Sequence, residues 1–308
     1  MIAAVDIGGT KIAVGMVDEA GRVLGWAETP TEAERGYAAS LEKISEMLRE
    51  VSRGRAMRGI GIGSTGMLDP VTGAFGDADF LPGWEGRNPV EDLSRAFGVS
   101  AAIENDGDAG ALAEAYWGAG KGKRRVVYVT VGTGIGGGVI LDGQLYRGVA
   151  MSHPEVGHHV IDASGPECSC GFRGCWEALA AGSAMESWYE ESLPAREGGG
   201  AAATAEQICQ LAREGREHAK RAVEREGYYL GLGLGNLISL FVPEVIVLGG
   251  GMMQSAELYL AKIREVIRSG CRFVPAEKTE IRLASLGEHS NLIGAAMVWQ
   301  HRFRSESR

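Results

Sequence analysis

Four residues, His158, Cys168, Cys170 and Cys175, are spaced as H-x9-C-x-C-x4-C. The spacer Gly171-Phe172-Arg173-Gly174 bends the chain enough for the three sulfurs to meet one ion. Three thiolates and one imidazole make a closed tetrahedral zinc site, and four protein ligands leave no place for an activated water. The zinc expected here is therefore structural. His153 and His159 flank His158 and offer substitutes as the imidazole ligand. Cys209 and Cys271 stand alone and read as core packing.

A second group is acidic: Glu104-Asn105-Asp106-Gly107-Asp108, between a strand end and a helix. Its bland reading is a helix N-cap, with Asn or Asp satisfying free N–H groups. Phosphoryl transfer to a hydroxyl, however, needs a carboxylate to accept the proton and little else from side chains. Asp106 at such a junction suits that role.

Glycine turns supply a third signal. Gly132-Thr133-Gly134-Ile135-Gly136-Gly137 fits G-x-G-x-x-G after a strand. The dinucleotide fingerprint requires a helix next. Here Val139–Leu141 is a strand and Asp142-Gly143 a turn, so a glycine hairpin cradling phosphate through backbone N–H groups fits better. No Walker A sequence occurs. Asp6-Ile7-Gly8-Gly9-Thr10-Lys11 places an acid at a strand end beside two glycines and a hydroxyl. With its near-repeat at Gly132–Gly138 it reads as a duplicated nucleotide-binding unit, in which two opposed hairpins grip a polyphosphate.

Positioning these groups takes a series of strands: Ile2–Asp6, Lys11–Val17, Arg22–Glu28, Ile60–Gly63, Ala101–Glu104, Val126–Val131, Val139–Leu141 and Val245–Leu248. Tyr37, Leu41, Ile44, Leu48 and Val51 trace one apolar helix face. Further helices are expected at Asp108–Gly118, Glu177–Glu191, Ala205–Leu240 and Asn291–Phe303, with a loop at Glu197–Ala203. At about 150 residues per domain, 308 residues imply two. The expected small domain is 1–117 plus the C-terminal helix in 289–308; the large one, 118–288, carries the zinc site.

The 31 Lys and Arg against 40 Asp and Glu give a net charge of −9, which argues against a nucleic-acid partner. Glycine reaches 47 residues without a collagen period, and 45% of the chain is hydrophobic, so close backbone approaches explain it better than disorder does. The apolar stretch Gly227–Pro243 reads as a buried helix, and no signal peptide is apparent, so a cytoplasmic protein without membrane partners is expected.

Asp6-Ile-Gly-Gly-Thr-Lys11, Glu104-Asn-Asp106, Gly132-Thr-Gly-Ile-Gly-Gly137, Glu155-Val-Gly-His158 and Cys168-Ser-Cys-Gly-Phe-Arg-Gly-Cys-Trp-Glu177 follow in this order. Together they resemble the ROK family (repressors, open reading frames and sugar kinases), over nearly the whole chain. The cysteine segment is the most specific part. The resemblance implies an α/β, two-domain actin/hexokinase-like ATPase fold, built of duplicated ribonuclease-H-like domains closing over a central cleft. It implies that Asp106 is the general base and that Asn105, Glu155, His158 and Glu177 bind sugar hydroxyls. Gly8, Gly9, Thr10, Lys11, Gly132, Thr133 and Gly134 would hold ATP phosphates, Asp6 would act on Mg²⁺ through water, and Gly249, Gly250 and Gly251 would lie near the adenosine. The zinc site would position a sugar-recognition loop.

The chain departs from the family pattern in three places. Asp106-Gly107-Asp108-Ala109-Gly110 stands where Asp-Ala-Asn-Ala-Ala is common. Ser64-Thr65-Gly66 replaces a Pro-Gly sugar loop, with Gly66 kept. His153-Pro154-Glu155 is similar to fructokinase-like members, whereas the cysteine segment is similar to glucokinases and N-acetylmannosamine kinases. The resulting expectation is an ATP-dependent hexose kinase, glucose to glucose 6-phosphate first, with N-acetylmannosamine, N-acetylglucosamine and fructose as alternatives and a homodimer or homotetramer as the assembly. From other classes, a sugar-responsive repressor would carry a DNA-binding segment before the first hairpin, which here begins at Asp6. A non-catalytic sugar sensor would not need Asp106 and both hairpins.

Overall fold

The computed structural model describes residues 1–76, 81–193 and 202–305; the expected loop at Glu197–Ala203 falls outside them up to position 201. In chain order the first elements are β1 (Ile2–Ile7), β2 (Lys11–Val17), β3 (Val23–Pro30), α1 (Gly36–Ser52), β4 (Gly59–Ser64), α2 (Pro89–Phe97), β5 (Ser100–Asn105) and α3 (Asp106–Tyr116). There follow β6 (Val126–Val131), β7 (Ile135–Leu141), β8 (Gln144–Leu145), α4 (Trp176–Ala180), α5 (Gly182–Glu191), α6 (Ala205–Arg213), α7 (Glu217–Phe241), β9 (Val245–Gly249), α8 (Ala256–Gly270), β10 (Glu280–Leu283) and α9 (Ser290–Ser305). Two compact units result. One is Met1–Arg124 with Gly138–Pro154 and Ala284–Arg308; the other is Arg125–Gly137 with Glu155–Leu283. Residues 138–154 thus group with the first unit, whereas the sequence reading begins its second domain at 118.

The first unit is built on a sheet of order β3-β2-β1-β4-β5, in which β1, β4 and β5 run parallel and β2 pairs antiparallel with both β1 and β3. The period-2 alternation of a strand sends its side chains to two faces. Ala3, Val5 and Ile7 join Ile44, Leu48 and Leu93 of α1 and α2 in one core. Ile2 and Ala4 join Leu292, Ala295, Ala296 and Trp299 of α9 in the other. The sequence Gly59-Ile-Gly-Ile-Gly63 of β4 states this asymmetry directly. Ile60 and Ile62 fill the first core, while a Cβ at Gly59 or Gly61 would stand 2.0 Å from Trp299 Nε1 or 1.8 Å from the Ala295 carbonyl oxygen. The glycines let α9 lie against the bare backbone of β4.

In the second sheet the order is β10-β9-β6-β7-β8; β10, β9 and β6 run parallel, and β7 and β8 antiparallel. Glycines again set the packing of the second unit. On α7, a Cβ at Gly233 would stand 2.1 Å from the Trp176 ring of α4, and one at Gly231 2.7 Å from Val266 of α8. Among the described residues no helix is long and apolar enough to cross a membrane.

Three expected elements differ in extent. Only Gly132–Gly134 of the glycine run form a turn; Gly136–Gly138 belong to β7, where a Cβ at Gly137 would stand 2.2 Å from the Tyr128 carbonyl oxygen of β6. The helix expected over Glu177–Glu191 breaks at Ala181, which is extended (φ −81°, ψ 163°), because the next N–H, of Gly182, turns to donate to the Gly132 carbonyl at 2.7 Å. The helix expected over Ala205–Leu240 is two helices, α6 and α7, separated at Gly215 with φ +91°.

Candidate active site

Register across β1, β4 and β5 lines up one end of the first sheet. Ile7 pairs with Ser64 and Ser64 with Asn105, so the three parallel strands finish side by side. Ligand sites of open α/β sheets lie at such carboxyl ends. Asp6 sits one residue before the end of β1, on the α9 side, and accepts a hydrogen bond from Asn291 Nδ2 at 3.1 Å. Burial pushes its carboxyl up to about 6, and the nearby Asp106 charge adds to the effect of burial. At the end of β4 the chain turns through Thr65, whose N–H donates to the Ile7 carbonyl at 3.1 Å, and Gly66, whose φ of +91° favours glycine.

At the end of β5, Asn105 Oδ1 accepts the Gly107 N–H at 2.8 Å and so caps α3; the N-cap reading of this segment holds for Asn105. Asp106 is thereby freed to be the first helical residue. Its side chain is exposed, and its Oδ1 accepts the same Gly107 N–H at 2.8 Å. Asp108, two residues on, is buried and paired with Arg147.

The first glycine turn closes with the Gly8 N–H donating to the Lys11 carbonyl at 2.9 Å. Thr31 braces it: Oγ1 donates to the Gly8 carbonyl at 2.7 Å, and its N–H donates to the Thr10 carbonyl at 3.0 Å. Thr10 is exposed, as is Lys11, which pairs with Glu28 at 3.0 Å.

In the second unit the turn Gly132–Gly134 is held from outside. Gly182 N–H and Ser183 Oγ donate to the carbonyls of Gly132 and Thr133, each at 2.7 Å. Glu177 Oε2 accepts the Ile135 N–H at 2.8 Å. Gly132, Thr133 and Ser183 face Gly251 and Met252 across a cavity of about 610 Å³ whose far side includes Arg213 of α6. The turn after β9 and the Gly132–Gly134 turn therefore share one pocket, although Gly249 and Gly250 themselves do not line it. Gly250 (φ +89°) passes so close to β6 that a Cβ would stand 2.3 Å from the Val131 carbonyl oxygen. The residues that α5 and α6 add to this pocket carry no local motif and were not legible in the sequence.

His158, Cys168, Cys170 and Cys175 come together, all four donor atoms within 4.8 Å of one another. Cys168 Sγ lies 3.4 Å from His158 Nδ1, and Cys170 Sγ 3.4 Å from Cys175 Sγ. A Zn–S bond of about 2.3 Å puts two sulfurs of a tetrahedron about 3.8 Å apart, so the donor set fits such an ion. Burial pushes the Cys175 thiol up to about 12, and a thiolate there requires a cation beside it. His159 turns away: its Nδ1 lies 2.7 Å from the Val156 carbonyl oxygen, and its ring packs on Trp176. The knuckle Cys168–Cys175 is braced by the Glu167–Arg173 pair at 2.6 Å. Glu155 and Glu177 flank the longer segment that carries all four donors. Glu177 binds the Ile135 N–H, and a Cβ at Gly157 would stand 2.0 Å from the Ile135 carbonyl oxygen. Both ends of the segment from Glu155 to Glu177 therefore meet the first residue of β7.

Two α/β units, each leading with strands joined by a glycine turn, define the actin/hexokinase-like ATPase fold. The model of the ROK family matches residues 2–302, and the chain belongs to that family. It is 32% identical over 306 residues to a glucokinase of Thermotoga maritima, covering 97% of this chain and 96% of that one. Among solved structures, a ROK hexokinase from Thermus thermophilus superposes with a TM-score of 0.85 at 34% identity, over 100% of this chain and 99% of that one. A ROK family glucokinase from Streptomyces griseus, in complex with glucose and AMPPNP, gives 0.82 at 31% identity, over 97% and 99%.

Proposed function

We propose that this chain is an ATP-dependent sugar kinase that moves the γ-phosphate of ATP to a hexose hydroxyl, glucose being the first substrate. The observation that carries the reading is the aligned end of β1, β4 and β5, with Asp6 and Asp106 on it, in a chain similar throughout its length to glucokinases.

In this mechanism Asp106 accepts the proton of the attacking sugar hydroxyl. As that O–H bond breaks, the oxygen forms a bond to the γ-phosphorus, the bond from that phosphorus to the bridging oxygen breaks, and ADP leaves with the electron pair. Such transfer depends on positioning and on charge stabilisation more than on side-chain chemistry. Asp6 acts on the Mg²⁺ of Mg-ATP through water. The turns Gly8–Lys11 and Gly132–Gly134 hold phosphate oxygens through the N–H groups of Gly9, Thr10, Thr133 and Gly134, the Gly8 and Gly132 N–H groups closing the turns on the Lys11 and Gly134 carbonyls; Lys11 and the Thr133 hydroxyl stand at the same turns, and the Gly249–Gly251 turn approaches the adenosine. Asn105, Glu155, His158 and Glu177 take sugar hydroxyls, and Gly66 lets backbone approach the sugar. His158 Nδ1, with the three sulfurs of Cys168, Cys170 and Cys175, would hold a structural Zn²⁺. When bound, that ion supplies no reacting group; it fixes the loop between Glu155 and Glu177.

A coupled ADP-release assay over glucose, fructose, mannose, N-acetylglucosamine and N-acetylmannosamine tests the substrate, with the highest kcat/KM expected for glucose. Asp106→Asn should lower kcat at least about 10²-fold, the low end for losing a general base, while sugar affinity by titration stays within about tenfold. Near-normal turnover in that variant would remove Asp106 from the mechanism.

A further inference from the structure

Arg147 is neither a proposed ligand nor a proposed catalytic group. It follows β8, and its guanidinium reaches two carboxylates of the β5–α3 junction. Nη2 donates to Glu104 Oε2 at 2.5 Å, and Nη1 donates to Asp108 Oδ2. These two acids bracket Asn105-Asp106-Gly107 in the chain. All three side chains are withdrawn from water, at 11% exposure for Arg147, 16% for Glu104 and 1% for Asp108. Asp108 has little freedom to move, since a Cβ at Gly138 of β7 would stand 2.9 Å from its Cα. On the α9 side, Arg302 acts on Glu104 and His301 on Arg147.

A buried ion pair adds little net stability, because desolvation offsets the attraction. What a guanidinium adds is geometry: its planar fork fixes the relative orientation of two carboxylates, where an ammonium is only a point charge. The fork here ties the end of a strand to the first turn of the helix it feeds. The residue between those anchors that faces solvent is Asp106.

We infer that Arg147 is a positioning residue for phosphoryl transfer: by clamping Glu104 to Asp108 it sets the direction of the Asp106 carboxylate. The inference rests on the reading of Asp106 as the base. A misplacement on the order of 1 Å in such a group lowers turnover about 10²-fold while leaving ground-state binding largely intact. A merely structural clamp would instead lower the folded fraction, with kcat per folded molecule unchanged.

Three variants separate these cases in the coupled ADP-release assay with glucose, alongside thermal melting. Arg147→Lys keeps the charge and loses the fork. The triple variant Arg147→Met, Glu104→Gln, Asp108→Asn removes the buried charges together, so no unpaired one is left to unfold the unit. Asp106→Asn reports on the base itself. The expected result is that the first two variants fold, keep KM for glucose and ATP within about threefold and lose at least tenfold in kcat. Wild-type kcat in either folded variant would overturn the positioning role, as would failure of both to fold, which would make Arg147 a folding requirement. Wild-type turnover in Asp106→Asn would overturn the base reading instead, and so tells the two failures apart.

Discussion

The two glycine turns are alike in backbone and unlike in charge. Each joins neighbouring strands, β1 to β2 and β6 to β7. The first has its own acid: Asp6, two residues before Gly8, buried in the strand and braced by Asn291 of α9. At the matching place before Gly132 stands Thr130. The second turn borrows its carboxylate from a helix, through Glu177 of α4 on the Ile135 N–H. An acid inside a strand is fixed in place but strongly desolvated, which is why Asp6 binds its proton so firmly. An acid on a helix joins the turn to whatever else that helix carries, and α4 begins directly after Cys175 of the proposed zinc set.

The largest test of this contrast is Asp6→Asn. Asparagine still accepts from Asn291 and loses the charge, so kcat should fall at least tenfold. Its stability should move the other way. Asp6 has an ordinary carboxyl value of 3.8 unfolded and about 6 folded. The stability tied to its proton is fully present below about pH 3.8 and is lost as pH rises through about 6. Melting temperatures taken without nucleotide should therefore show the variant gaining on wild type between about pH 4 and 6 and level above. At about 1.4 kcal/mol for each tenfold in acidity, the gain is at most about 3 kcal/mol. A difference that does not vary with pH would contradict the burial argument.

Next in size is Glu177→Ala. Removing the acceptor of the Ile135 N–H while deleting a proposed sugar ligand should raise KM for ATP and for glucose together, each by about tenfold, as the loss of one charged hydrogen bond allows. Glu177→Gln keeps an acceptor for the N–H, so ATP binding should recover more than sugar binding. If the two constants move independently in Glu177→Ala, the borrowed acid serves one site only. The smallest effect is expected of Cys170→Ala, which should move one constant only: the glucose KM should rise about tenfold, some 1.4 kcal/mol, with ATP binding nearly normal. Metal content by elemental analysis and thermal melting come first, since losing a zinc also weakens folding. A folded, zinc-free variant with wild-type sugar KM would reduce the site to a remote staple.

What the sequence revealed follows the range of the interactions. The strand–turn–strand units, the apolar face of α1 and the C-terminal helix are local patterns, and each forms near its expected bounds. The cysteine knuckle is local as well, and its four donors meet. Gly215 is the one local mark of the break between α6 and α7, and a lone glycine is a weak one, since helices tolerate it. The break at Ala181 had no local mark, because its cause is a carbonyl of Gly132 far away in the chain. Gly136–Gly138 looked like more turn and are strand, since their missing side chains make room for neighbouring backbone rather than for a phosphate. Arg147 escaped for the same reason as Ala181: its partners lie 39 and 43 residues away, and no spacing rule connects them.

The bare glycine face of β4 has a consequence for the order of events at the ribosome. The helix that covers it, α9, is made after every other described element. At roughly 5–20 residues per second, roughly 10 to 45 s separate the synthesis of Ser64 from that of Ser290. Once α2 and β5 are made, the sheet can bury its α1 and α2 side, while the glycine face of β4 still lacks α9. The nascent first unit therefore waits, half-roofed, for a segment encoded after the whole of the second unit, and the second is free to finish folding before it.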